Sequence, residues 1–160
     1  MSAVLLSGGW ESALCLIQAI SKGGEVFGYF YDYGQPYAKQ EYDAVERLRK
    51  KFKFKLLINL EEPFKATNGV FANRNEYFIR DVAMRGHKDI YFGCRNLLNM
   101  MDKYGDSNKQ FAMRMAKELG VKIHTPALLM PKFMVKSYVL EHGVTEKDIY
   151  SSEGYKYETK

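Results

Sequence analysis

Val4-Leu5-Leu6-Ser7-Gly8-Gly9-Trp10-Glu11-Ser12-Ala13-Leu14-Cys15-Leu16-Ile17 is the stretch that decides the fold. An apolar, strand-like run leads into a serine-glycine-glycine turn, and a helix-like run follows at once. That order places a helix N-terminus directly beyond the carboxyl end of a buried strand. The first N–H groups of a helix have no partner within it, and the helix dipole favours negative charge there. Gly8 and Gly9 carry no Cβ, so an anion can approach the backbone closely. Ser7 and Ser12 add hydroxyl donors. An ordinary tight turn between strand and helix, capped by serine, would use the same residues.

Several readings fall away. No Gly-Lys-Ser/Thr follows the glycines, so the loop is not a Walker A motif. It lacks G-x-G-x-x-G. Glu11 interrupts the apolar run and no basic segment precedes it, unlike a secretory signal.

Outward from this stretch, strand-like and helix-like segments alternate. Strands are expected at Ala3–Leu6, Val26–Tyr31, Phe54–Leu60, Asp89–Phe92 and Val121–His124. Helices are expected at Trp10–Ser21, Tyr37–Phe52, Glu76–Arg85, Asn108–Leu119 and Lys132–Glu141. Gly23-Gly24, Gly86, Gly120 and Gly143 fall where helices should stop. Strict alternation predicts an α/β fold, a doubly wound five-stranded parallel sheet with helices on both faces. Ligands of such sheets bind beyond the carboxyl ends of the strands. The long connection Glu61–Asn75 suits a binding loop or lid.

The chain has 160 residues, 46% hydrophobic and 27% charged, as expected of one globular domain over residues 1–160. The polar tail, residues 150–160, reads as poorly ordered or packed on a partner. No apolar run approaches a membrane span. The two cysteines are far apart and form no CxxC pair, which suits a reducing, cytoplasmic setting. The net charge of +5 is spread out. Its densest cluster, Arg47 to Lys53, sits at a helix end where cations offset the dipole, so a nucleic-acid partner is not expected. His87, His124 and His142 have no metal-ligand spacing.

The expected loops carry the polar residues of interest. Tyr31-Asp32-Tyr33-Gly34-Gln35 follows the second strand. Asp32 suits Mg²⁺ or a ribose hydroxyl, Tyr33 suits stacking on a base, and Gly34 permits a sharp turn. Arg74 is a fork for phosphate or carboxylate, and Asn75 is a candidate helix N-cap or polar contact. Asp102 and Asp106 suit a polar substrate edge, a metal or a helix cap. Lys132 opens a helix where it opposes the dipole, which points to a phosphate nearby or to an ordinary surface lysine.

Taken in order, these segments resemble the PP-loop family of ATP pyrophosphatases, which have an adenine nucleotide alpha hydrolase-like fold. Within it they resemble the 7-cyano-7-deazaguanine synthases of queuosine biosynthesis. The family's Ser-Gly-Gly-x-Asp-Ser appears as Ser7-Gly8-Gly9-Trp10-Glu11-Ser12. Its Asp-Tyr-Gly-Gln is Asp32–Gln35, and its Arg-Asn is Arg74-Asn75. Its Ile-Tyr-x-Gly is Ile90-Tyr91-Phe92-Gly93, and its aspartate-containing loop is similar to Asp102 through Phe111. Its Thr-Pro before a lysine-opened helix is similar to Thr125-Pro126 and Lys132.

The resemblance implies an ATP-dependent ligase. It would adenylate the carboxylate of a 7-deazaguanine and convert it with ammonia to amide or nitrile, releasing AMP and pyrophosphate. Ser7, Gly8, Gly9, Glu11, Ser12, Tyr33, Gly34 and Gln35 would hold ATP and pyrophosphate. Glu11 and Asp32 would organise Mg²⁺, and Arg74 or Lys132 would neutralise developing charge. Asn75, Asp102 and Asp106 would read the base. A tendency to homodimerise is also implied.

The chain departs from the family pattern in three places. Glu11 stands for an aspartate, and Pro36-Tyr37 for Arg-His. The tail has no cysteine for the family's C-terminal zinc site, so no zinc is expected. These departures keep two alternatives open: a nucleotide-binding protein that has lost catalysis, and a PP-loop enzyme acting on another base or carboxylate.

Overall fold

A computed structural model describes residues 1–59, 74–95 and 108–151. Asp102, Asp106, most of the long connection before Asn75, and the tail beyond Ser151 lie outside the described residues. Five strands, β1 (Ser2–Leu6), β2 (Val26–Tyr31), β3 (Lys55–Asn59), β4 (Asp89–Tyr91) and β5 (Lys122–His124), form one parallel sheet in the order β3-β2-β1-β4-β5. The helices between and after them are α1 (Trp10–Ser21), α2 (Ala38–Lys51), α3 (Arg74–Met84), α4 (Lys109–Leu119) and α5 (Lys132–Glu141).

Side chains alternate across each strand, and the core divides accordingly. Val4 and Leu6 of β1 join Val26, Phe30 and Tyr91 under α1, α2 and α5. Ala3 and Leu5 join Tyr29, Tyr31 and Ile90 under α3 and α4. Helices therefore cover both faces, and the sheet is doubly wound, as the alternating pattern predicts. Burial on both faces also explains why β1 and β2 read as nearly continuous apolar runs.

Helix ends follow local chemistry. Asn108 caps α4 by accepting the Phe111 N–H at 2.7 Å, and Gly120 closes it in the left-handed conformation at φ 66°. α3 begins at Arg74, two residues before the expected Glu76. Asn75 is thus a first-turn residue and not the N-cap. No helix among the described residues is long and apolar enough to cross a membrane.

Candidate active site

β1 is hydrogen-bonded to β2 on one side and β4 on the other, so the chain leaves it in opposite directions across the sheet. Such a switch point opens a crevice beyond the strand ends. A cavity of about 360 Å³ lies there, within the size range of small-ligand sites. Its wall comes from the loop after β1, the end of β2, the first turns of α1, α2 and α3, the Phe92–Arg95 segment after β4, and Tyr150.

The glycine turn is held by packing that no side chain would permit. Gly8 has φ +78°, and a Cβ there would stand 2.8 Å from both the Glu41 carbonyl oxygen and Ala44 Cβ of α2. The Gly8 carbonyl accepts the Tyr150 N–H at 2.9 Å. Opposite, a Cβ on Gly93 would meet the carbonyl carbon of Glu11 and the nitrogen of Ser12, each at 2.9 Å. The loop is thereby gripped between α2 and the segment after β4.

Gly9 is the N-cap of α1 and offers no capping side chain. The serine-capped turn is therefore not what forms. Ser12 Oγ turns inward, donating to the Gly9 carbonyl at 3.2 Å and accepting the Ser7 N–H at 3.2 Å. The serines brace the loop, with Ser7 Oγ accepting the Gly9 N–H at 3.4 Å, and among the described residues no side chain caps the N–H groups of the turn that follows, the arrangement that favours an anion.

Cations gather at that helix end. Lys132 Nζ, from the first residue of α5, lies 2.7 Å from Glu11 Oε1, and Arg95 Nε lies 3.5 Å from the same oxygen. A lysine at a helix N-terminus opposes the dipole; the carboxylate of α1 compensates it.

The second half of the site is built by Gln35, which is 4% exposed. Its side-chain oxygen accepts the Tyr33 N–H at 2.8 Å. Its amide nitrogen donates to the Tyr31 carbonyl at 3.2 Å and to Glu41 Oε1 at 3.1 Å. The Arg74 guanidinium lies over the Tyr33 ring, 5.8 Å from its centroid. Burial pushes the Glu41 carboxyl up to about 7, against the opposing pull of the Gln35 amide and Arg74; Asp32 adds to the rise. Burial likewise raises the Tyr33 hydroxyl and, in the first helix, the fully enclosed Cys15 thiol.

Of the residues singled out in the sequence, Ser7, Gly9, Glu11, Ser12, Tyr33, Gln35, Arg74 and Asn75 line one cavity. Gly8 lies in the loop that forms its floor, and Lys132 reaches it through Glu11. Asp32 and Gly34 do not line it. Asp32 Oδ1 instead accepts the Gly34 N–H at 3.0 Å, closing the turn after β2. Arg95, Glu41 and Tyr150 were not foreseen. The sequence signal for Arg95 is its place in the segment after the fourth strand, beyond the carboxyl ends where such sheets bind ligands.

The family model described as queuosine biosynthesis protein QueC matches residues 1–101. The chain belongs to the QueC family. The match spans the glycine loop, the Asp32–Gln35 turn and Arg74-Asn75. This member of the QueC family also shares its fold with the crystal structure of a predicted subunit of tRNA methyltransferase from Methanocaldococcus jannaschii. That likeness has a TM-score of 0.54 and 12% identity over 88% of this chain and 75% of that one. A protein of Pyrococcus horikoshii, PH1313, aligns with a TM-score of 0.48 and 14% identity, over 89% of this chain and 42% of that one.

Proposed function

We propose that this QueC-family protein is an ATP-dependent ligase acting on the carboxylate of a 7-deazaguanine. The observation that carries the reading is the convergence of an uncapped helix N-terminus with Lys132 and Arg95 beside the cavity at the switch point. In the first half-reaction a carboxylate oxygen of the base attacks the α-phosphorus of ATP. The bond to the pyrophosphate oxygen breaks, giving acyl-adenylate and pyrophosphate. In the second, ammonia attacks the acyl carbon and AMP departs with the carboxylate-derived oxygen, leaving the amide. Dehydration of the amide, again driven by ATP, would yield the nitrile.

The protein's contribution to these steps is positioning and charge. The Ser7–Ser12 loop and the α1 N–H groups hold the leaving pyrophosphate. Lys132 and Arg95 offset the negative charge that develops on it. Arg74, over the Tyr33 ring, would take the remaining phosphate or the substrate carboxylate. No protein nucleophile is required, and the Cys15 thiol, enclosed and held protonated, is unsuited to be one. The buried free thiols suit a reducing compartment such as the cytoplasm.

Mg²⁺ on a nucleotide usually takes one or two protein carboxylates and fills its shell with phosphate oxygens and water. Glu11, on the cavity wall at the phosphate end, fits that role; Asp32, engaged with Gly34, does not face the cavity. When bound, the ion would supply additional neutralisation of the phosphates.

One observation favours a second reading, a nucleotide binder without catalysis: both cations fall on the carboxylate that would serve the metal. Exchange of labelled pyrophosphate into ATP separates the two. Exchange that depends on 7-carboxy-7-deazaguanine supports the ligase. ATP binding without exchange supports the second reading.

A further inference from the structure

Glu41 is unexplained by phosphate chemistry. It is 6% exposed, lines the cavity, and makes no ion pair among the described residues. Only its Oε1 has a hydrogen-bond donor there, the Gln35 amide. The Gln35 amide and the Arg74 charge offset only part of the cost of burying this carboxyl, and its second oxygen is left for a donor from the cavity. Glu41 is also held rigidly. Its backbone oxygen is packed on Gly8, and Gln35 is fixed by Tyr31 and Tyr33.

Lys132, Arg95 and the α1 N-terminus draw anions to the glycine loop, whereas at the Glu41 end of the cavity the carboxyl oxygen without a donor among the described residues calls for one. Tyr33 and Tyr37 line the cavity with Glu41, and Tyr37 and Glu41 both lie close enough to Tyr33 to act on its hydroxyl; flat aromatic rings suit a planar heteroaromatic ring. We infer that Glu41 is a base-reading residue, its Oε2 accepting an N–H from the exocyclic amino group of a nucleobase lodged at that end. Two ligands of the proposed reaction carry such a group, the adenine of ATP and the deazaguanine. The inference rests on the proposed reading for its ligands, but its test needs no turnover.

The test compares ligand pairs differing by one amino group. ATP is paired with purine riboside triphosphate, and 7-deazaguanine with 7-deazahypoxanthine. Calorimetry gives affinities for the wild type, Glu41→Met and the isosteric Glu41→Gln. At pH 8, above the Glu41 titration, a charge-assisted hydrogen bond in a largely buried site predicts that the wild type prefers the amino partner of one pair by roughly tenfold or more. Glu41→Met should bring that ratio to within about threefold of unity, and Glu41→Gln should lower it at least about threefold through loss of charge.

The pair that responds identifies the source of the amino group. If Glu41→Met fails to fold, Glu41→Gln decides. Ratios unchanged in both pairs overturn the inference, even where affinities fall together, as they would for a contact to ribose hydroxyls or a structural role. Absence of binding to all four ligands overturns it as well. Failure of pyrophosphate exchange with an altered ratio overturns the proposed reaction and leaves the inference standing.

Discussion

Lys132 Nζ and Glu11 Oε1 stand 2.7 Å apart across 121 residues of sequence, joining the first turn of α5 to the first turn of α1. The pair sits at the phosphate end of the cavity, and its side chains are 23% and 18% exposed. Lys132→Met should lower pyrophosphate affinity roughly tenfold, by the loss of one charge-assisted contact. The cost in stability should be only about 1 kcal/mol, because Glu11 keeps Arg95. Calorimetric titration with pyrophosphate and urea denaturation check the two numbers separately.

Gly8 and Gly86 both have positive φ, but their surroundings differ. A Cβ on Gly8 strikes the α2 backbone, whereas one on Gly86 meets nothing within 4 Å. Gly86→Ala should cost only the conformational strain, on the order of 1 kcal/mol. Gly8→Ala should add the collision with the Glu41 carbonyl and cost at least about 2 kcal/mol more. Equal losses in chemical denaturation would mean that α2 does not grip the loop.

Glu41 should make the protein less stable as pH rises. Below its ordinary value of 4.5 the carboxyl is protonated whether the chain is folded or not. Between 4.5 and about 7 the unfolded chain releases the proton while the folded one keeps it. The folded state is then the more protonated, so its stability falls through this window and levels off above it. Across the 4.5-to-7 window the loss is of order 3 kcal/mol. Glu41→Gln should abolish that slope and be the more stable protein at pH 8, a gain bought at the expense of ligand reading. A wild-type-minus-variant difference independent of pH contradicts this.

Arg74 holds the Glu41 carboxyl below where burial alone would put it. Arg74→Met should therefore move the Glu41 titration to higher pH, read directly by carbon NMR of the carboxyl group. The same change should weaken binding of a carboxylate-bearing base through loss of the guanidinium fork.

The fold was legible because its signals are local. β1 and β2 are long apolar runs, and α4 carries its own cap in Asn108 and its own stop in Gly120. Boundaries differ from the expected ones by a residue or two, as at Arg74, at the shortened ends of α2 and at the start of β3. Glycines that touch distant backbone, Gly8 and Gly93, were visible as motif members, yet the reason for them lies in α2 and α1. Glu41 was hidden for a related cause. It sits among charged residues in a helix of ordinary amphipathic composition, and only the fold sets it beside Gln35 and the loop after β1. Arg95 and Tyr150 are likewise brought in by topology. Asp32 stands outside the cavity lining, where one of its carboxylate oxygens serves the turn backbone.

The central claim is that this protein activates a deazaguanine carboxylate with ATP. Incubation with ATP, Mg²⁺, ammonium and 7-carboxy-7-deazaguanine, read by mass spectrometry, tests it most directly. The account predicts AMP together with the amide or nitrile of the base. Intact carboxylate and no AMP, from protein that binds ATP, would contradict it.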